Sequence, residues 1–356
     1  MRGNVIALAF LLGLLLPACA HTLPAIPEGS KYGAGDAMET IESLRASVDA
    51  ILRAGGNLGR FEALRKRAKG MGLGPQARGE PIDWWTRQEN LLIEIPGSSG
   101  RIIYITAHYD KTDVSPLKLL SLLLNGLPDE AIAWSFLSEG AIDNATGVAV
   151  ALELARALAR AEPRETYRVL LTGAEESGLR GSRAHLARLP ARERDAIALA
   201  VNIDTVGLTF APNCVTENVS DDTLVAEALA AADHLEMPLE TDTLPFGAYG
   251  DFTPFKQHDF GRDLSLGFLF NLTGGLLPQR SWFTGAHEAP VINFSACNLV
   301  GPSDYAAAVT LLPVGQLHGP RDRADRVSLE RLYEMFAIIS EFIESHAGAE
   351  GREPLN

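Results

Sequence analysis

RIIYITAHYD, residues 101–110, is the stretch that decides how this chain folds. Residues 101–107 are an apolar, β-branched run with the make-up of a buried strand. His108 and Asp110 follow at once, so an imidazole and a carboxylate stand at the strand's carboxyl end. The pattern recurs downstream. Residues 167–172 (YRVLLT) predict a second buried strand, with Glu175 and Glu176 just beyond it. Residues 198–203 (ALAVNI) predict a third, followed by Asp204, and residues 265–270 (SLGFLF) a fourth. Residues 91–95 alternate weakly and stop at Pro96-Gly97, as an edge strand does.

Helical patterns fill the intervals. Val148, Leu152, Ala155 and Leu158 share one helix face, and so do Leu329, Leu332, Phe336 and Ile343. Residues 38–53 carry amphipathic spacing, and residues 60–69 predict a second helix stopped by Gly70, Gly72 and Gly74. Strands alternating with helices define an α/β fold: a three-layer sandwich with a mostly parallel, mixed central sheet and helices on both faces.

The chain has 356 residues, 46% of them hydrophobic and 21% charged, which suits a folded domain with a sizeable core. Its formal net charge is -14 and it shows no basic stripe, which argues against a nucleic-acid partner. Arg2 precedes an apolar run over 5–16 that is short for a membrane span and fits an export signal. Leu16-Pro17-Ala18-Cys19 resembles a bacterial lipobox. That resemblance implies lipidation at Cys19, and Ala20 in place of Asp favours the outer membrane over retention at the inner one. An ordinary secretory signal cut nearby is the alternative. The expected organisation is therefore a signal peptide over 1–18, a tether over 19–37 and a single catalytic domain over 38–346. Within that domain lie N-terminal helices (38–70) and a leucine-rich insertion (about 114–137), with a tail over 347–356. The insertion reads as a packed helical segment, a lid beside the site, or a membrane contact. Cys214 and Cys297 are the remaining thiols; an oxidising compartment permits a bridge, and their distance in sequence leaves bridged and free states both open.

Functional side chains gather beyond the carboxyl ends of parallel strands. Taken singly, an acid after a strand is usually a solvated turn or a helix cap. Taken together, two imidazoles and three carboxylates are the donors a pair of neighbouring zinc ions requires, and a further carboxylate can activate water. The order of these residues, with their surroundings, resembles the co-catalytic zinc aminopeptidases. That family is typified by bacterial leucyl and Streptomyces-type enzymes and is related to glutamate carboxypeptidase and glutaminyl cyclase. The matching pieces are TAHYD (106–110), GAIDNATG (140–147), TGAEESGLRGS (172–182), NID (202–204) and His318 with Asp322 and Asp325, spanning roughly residues 90–346.

The resemblance implies a zinc exopeptidase fold and assigns roles. His108 and Asp204 would hold one zinc, Glu176 and His318 the other, with Asp143 bridging the two. Glu175 would be the general base. Asp110 would orient the His108 ring, its alternative being an ordinary turn acid. Two zinc ions about 3.5–4 Å apart share one water and bring its pKa to about 7. The implied substrate is a peptide or small aminoacyl compound, and the implied membrane association runs only through the lipid at Cys19.

Two departures stand out. Gly319 occupies the position after His318 where the family usually has Thr, and His287 is the competing histidine. Phe252 in GDFTPF (250–255) stands where the family often has His, so the pocket function of that His is in doubt; these aromatics line a pocket or pack the core. His185, His234, His258 and His346 read as surface residues. A glutaminyl cyclase with one zinc, a carboxypeptidase and a non-catalytic receptor-like relative are the other functions compatible with this pattern.

Overall fold

Each apolar run that falls within the described residues folds into the element its period predicts. The structure is a computed structural model, and the residues described are 37–83, 86–112, 137–244, 250–256, 289–299 and 316–350. The proposed signal, Cys19, the tether, the insertion over 114–136, the expected strand over 265–270, His258 and His287 lie outside them.

Two helices open the described chain, α1 (Ala37–Arg53) and α2 (Asn57–Gly70). Strands β1 (Ala77–Pro81), β2 (Glu89–Ile95) and β3 (Ile102–His108) follow. Helix α3 (Thr146–Ala161) leads to β4 (Thr166–Thr172). Helix α4 (Arg180–Arg188) precedes β5 (Ile197–Ile203) and β6 (Asn213–Thr216). Then come α5 (Asp222–His234), β7 (Glu240–Asp242), β8 (Val291–Ala296) and the long α6 (Leu329–Glu350).

The strands form one mixed sheet in the order β1-β2-β4-β3-β5-β8-β6-β7. Its centre is parallel: β3 pairs with β4 and with β5, and β5 pairs with β8. The pairs β1–β2, β2–β4 and β6–β8 are antiparallel. Strand β2 is therefore an inner strand. The expected edge position belongs instead to β1, whose ARGEP sequence carries no apolar alternation to announce it. Helix α2 also begins at Asn57, ahead of the expected residue 60.

Successive side chains of a strand face opposite sides, and β3 uses both. Ile103, Ile105 and Ala107 join the main core with Leu44 and Val48 of α1, Leu64 of α2, Val148 and Leu152 of α3, and Phe336 of α6. Ile102 and Tyr104 face a second core with Leu186 of α4, Phe252 and Phe255. Each fully buried Val, Leu, Ile or Phe contributes about 1.5–3 kcal/mol, so cores on both faces fix the sheet as the rigid base of the molecule.

Two histidines read as surface residues are in fact buried. His185 bonds Tyr104 Oη at 2.9 Å and Glu80 Oε2 at 2.6 Å, and His346 bonds Glu227 Oε2 at 2.8 Å. Each has a carboxylate partner that makes burial tolerable, and no local spacing signals this. His234 is exposed as expected.

Candidate active site

Because β3, β4 and β5 are parallel neighbours, their carboxyl ends open on one edge. His108, the last residue of β3, lies across from Thr172 of β4, and Thr106 lies across from Asn202 of β5. A buried polar ladder locks this register. Thr106 Oγ1 donates to Asn202 Oδ1 (2.7 Å), Asn202 Nδ2 to Asn293 Oδ1 (2.7 Å), and Asn293 Nδ2 to Thr216 Oγ1 (2.6 Å). Buried polar groups that are satisfied in sequence, strand to strand, tolerate no slippage.

Each site loop is tied from below. The loop carrying Glu175 and Glu176 is held by β2 and the residue before it. Asn90 Oδ1 accepts from Gly173 N (3.2 Å), Asn90 Nδ2 donates to Gly181 O (2.9 Å), and Gln88 Oε1 accepts from Ala174 N (3.0 Å). Gly181 is obligatory here, since a Cβ would stand 2.4 Å from Gly173 O. Asp143 sits in the turn Ala141–Ala145 at the head of α3. The buried carboxylate of Asp322 caps that turn, accepting from Ile142 N (2.6 Å), Asp143 N (3.3 Å) and Ser138 Oγ (2.5 Å). Asn144 joins it to the end of β5, donating to Ile203 O (2.9 Å) and accepting from Thr205 N (3.1 Å).

The result is two groups of three side chains. His108, Asp143 and Asp204 present donor atoms all within 4.8 Å of one another, and so do Asp143, Glu176 and His318. Asp143 belongs to both. Its Oδ1 lies 2.9 Å from His108 Nε2, and its Oδ2 lies 2.8 Å from His318 Nε2. Asp204 Oδ1 is 3.4 Å from His108 Nε2, and Glu176 Oε1 is 3.4 Å from His318 Nε2. His318 holds a left-handed backbone (φ 56°), an uncommon state for a non-glycine residue and one that the surrounding turn must enforce.

Asp110 sits differently from a simple carboxylate partner. Its main-chain carbonyl bonds His108 Nδ1 at 3.0 Å, whereas its carboxylate Oδ1 is 3.7 Å from that nitrogen. The same Oδ1 accepts from Glu175 N at 3.0 Å. Asp110 thereby fixes the ring so that Nε2 faces the acids, and also joins the His108 segment to the Glu175 loop.

The electrostatics follow from crowding. Burial raises the pKa of Asp143, but hydrogen bonds from His108 and His318 outweigh it and hold the carboxyl well below its usual range. Burial, then the charge of Glu176, Asp251 and Asp204, pushes Glu175 well above its usual value against the pull of His108. Burial opposes protonation of His108 and His318, yet the surrounding acids raise both imidazoles well above the ordinary value. Acids this dense are relieved by taking up protons themselves, by imidazolium neighbours or by metal ions.

The donor set fits metal on observations beyond proximity. Asp204 Oδ1 is buried without a hydrogen-bond partner. His108 Nδ1 is engaged by a carbonyl, which leaves Nε2 for coordination. Imidazole nitrogens with carboxylate oxygens suit zinc.

All seven predicted residues come to this edge, although they arise from four separate segments and a late turn. Asp325 does not; its side chain is exposed and pairs with Arg323. Phe252 and Phe255 pack in the second core, and the Phe255 ring lies 5.1 Å from that of Tyr104, tilted by 53°. Sequence reasoning missed Arg60, which lies beneath the site with no exposed surface. Its only signal was a charged residue at a core position of a helix.

The model of Peptidase family M28 matches residues 90–343, and the chain belongs to that family. Among curated relatives it is similar to Aminopeptidase YwaD of Bacillus subtilis (strain 168). The two are 32% identical over 109 residues, which is 31% of this chain and 19% of that protein. Such matches span about a third or less of the relatives' lengths. Among solved structures it resembles the Legionella pneumophila LapA aminopeptidase, with a TM-score of 0.59 at 15% identity over 91% of this chain and 76% of that one. It also resembles a glutaminyl cyclase from an Acidobacteriales bacterium, with a TM-score of 0.56 at 15% identity over 92% and 98%. At these identities the likeness establishes the fold alone, and the same fold carries two different reactions.

Proposed function

We propose that this protein is a zinc-dependent aminopeptidase that removes N-terminal residues from peptides, with two zinc ions per chain. His108 and Asp204 would hold one ion and Glu176 and His318 the other, with Asp143 between them. The observation that carries this reading is the sharing of Asp143, whose two oxygens point to two separate imidazoles. A carboxylate so placed can serve two ions at once. Membership of a peptidase family and the match to an aminopeptidase support the reaction class.

Zinc bound here supplies Lewis acidity, which brings the pKa of water to about 7 and stabilises negative charge developing on a carbonyl oxygen. The protein does the rest. Glu175 takes a proton from the attacking water and returns it to the leaving amine. Asp110 keeps the Glu175 loop and the His108 ring in one register. With two divalent ions bound, the three carboxylates Asp143, Glu176 and Asp204 would leave the site with a net charge of about +1, which would favour an oxyanion over a neutral carbonyl.

We further propose export from a bacterial cell, with anchorage through lipid at Cys19. A Cys214–Cys297 disulfide supports passage through an oxidising compartment.

The test is hydrolysis of aminoacyl-nitroanilides with free and blocked amino groups, alongside a glutaminyl peptide. Cleavage confined to free amines supports the proposal. Equal cleavage of blocked substrates, or cyclisation of the glutaminyl peptide without hydrolysis, contradicts it. Glu175→Gln should lower turnover by about 10²–10⁴-fold with metal retained, and near-normal turnover would remove Glu175 from the mechanism.

A further inference from the structure

Arg60 is the largest fully buried polar side chain in the described residues, and it belongs to α2, ahead of residue 90 where the family match begins. Its guanidinium spends its hydrogen bonds on main-chain carbonyls. Nη1 donates to Tyr109 O (3.0 Å), and Nη2 donates to Gly140 O (3.2 Å) and to Glu139 O. Tyr109 lies between His108 and Asp110. Glu139 and Gly140 begin the turn that carries Asp143. One side chain therefore clasps the two backbone segments that place the shared carboxylate against the first imidazole.

The neighbourhood is built around this clasp. One turn earlier on α2, Asn57 bonds Lys111 in both directions, Nδ2 to Lys111 O (3.0 Å) and Lys111 N to Oδ1 (3.0 Å). Gly140 has φ 62°, and a Cβ on it would stand 2.5 Å from Arg60 Nη2 and 2.8 Å from Nη1. Glycine here thus admits the guanidinium beneath the turn as well as the backbone conformation. A planar fork that donates to several carbonyls at once is geometry that lysine cannot reproduce. Burying such a cation costs several kcal/mol, an expense natural folds rarely carry without a return.

We propose that Arg60 is a positioning residue of the metal centre, which makes the N-terminal helix α2 part of the site's scaffold. It rests on the two-zinc reading above. The guanidinium sets the separation of His108 from Asp143 before metal arrives, so its loss loosens a site that is otherwise preorganised. A competing effect has the opposite sign. A buried cation repels divalent ions, so if charge dominated, removing it would tighten zinc binding.

The experiment measures two quantities on the full chain, Arg60→Met, Arg60→Lys and Gly140→Ala against wild type. The first is zinc affinity by competition with a chromogenic chelator. The second is hydrogen exchange in the metal-free proteins at residues 109–112 and 139–145. Arg60→Met should weaken zinc about 10–100-fold and speed exchange in both segments, while β3 and β5 stay protected. Arg60→Lys should weaken it less, because the charge persists and only part of the clasp is lost. Gly140→Ala, which keeps Arg60 but crowds it, should weaken it too. If the methionine variant does not fold, the lysine and alanine variants decide the matter. Zinc affinity within twofold of wild type in the folded variants, or tighter in Arg60→Met, overturns the proposal. Wild-type protein that binds no zinc defeats the two-zinc reading instead, and the exchange data then judge Arg60 by themselves, unchanged rates counting against it.

Discussion

Asp143 is the residue on which the site turns. A carboxylate with an imidazole at each oxygen, 2.9 Å and 2.8 Å away, is charged at any ordinary pH and available on both sides. Asp251, bonded to Thr172 at the end of β4, shows the opposite behaviour. Burial, partly offset by the charge of His108 and by hydrogen bonds from Ser182 and Thr172, lifts its carboxyl to about 6. An unfolded aspartate titrates near 3.9, so between pH 4 and 6 the folded protein holds a proton that the unfolded chain releases. Stability from this group is present below pH 4 and lost as pH rises through 6. Asp251→Asn in metal-free protein should therefore flatten the fall in stability across that window by about 2–3 kcal/mol, read from urea unfolding at several pH values. An unchanged pH slope would mean that Asp251 is ionised in the folded state. His318 was legible through the acids that follow it, Asp322 and Asp325. Gly319 removes the usual neighbour, yet Asp322 four residues on caps the Asp143 turn and so holds the two segments together.

At the scale of elements, the site is a consequence of parallel strands ending in step. The strands β3, β4 and β5 were legible because both their faces are buried, which leaves a continuous apolar run with an abrupt polar end. The short strand β1 was not, because an exposed edge needs neither apolar period nor bulk. The inner place of β2 was hidden for the same reason, since its outer neighbour gave no sign. Buried His185 and His346 escaped notice because their partners, Glu80 and Glu227, are 105 and 119 residues away in sequence. The pairing of Cys214 with Cys297 was open for the same reason. Cys214 lies on β6 and Cys297 directly follows β8, and antiparallel pairing of those strands brings their Cα atoms to 5.2 Å across 83 residues of chain. Closing a loop of that length restricts the unfolded chain, so reduction or Cys214→Ser should cost about 4 kcal/mol. Thermal unfolding with and without reductant measures this. The bridge lies outside both donor groups, so metal stoichiometry should not change; metal loss on mild reduction would show that β6 and β8 support the site more directly.

For the whole molecule, the sheet is rigid because helices cover it on both faces, and the site occupies the one edge where four segments and a late turn converge. The sequence conveyed the chemistry of that edge through residue types and order. It did not convey the contribution of the N-terminal helices, because the carbonyls that Arg60 meets belong to segments 49 and 80 residues away in sequence. The central claim is that this is a two-metal site bridged by one carboxylate. The measurement that tests it most directly is a zinc titration of metal-free wild-type protein and Asp143→Ala, with bound metal and aminopeptidase rate read on the same samples. Two equivalents bound by wild type, activity rising with occupancy, and neither site retained tightly in Asp143→Ala are the predicted result. A single equivalent at full activity, or two tight equivalents in Asp143→Ala, would contradict it.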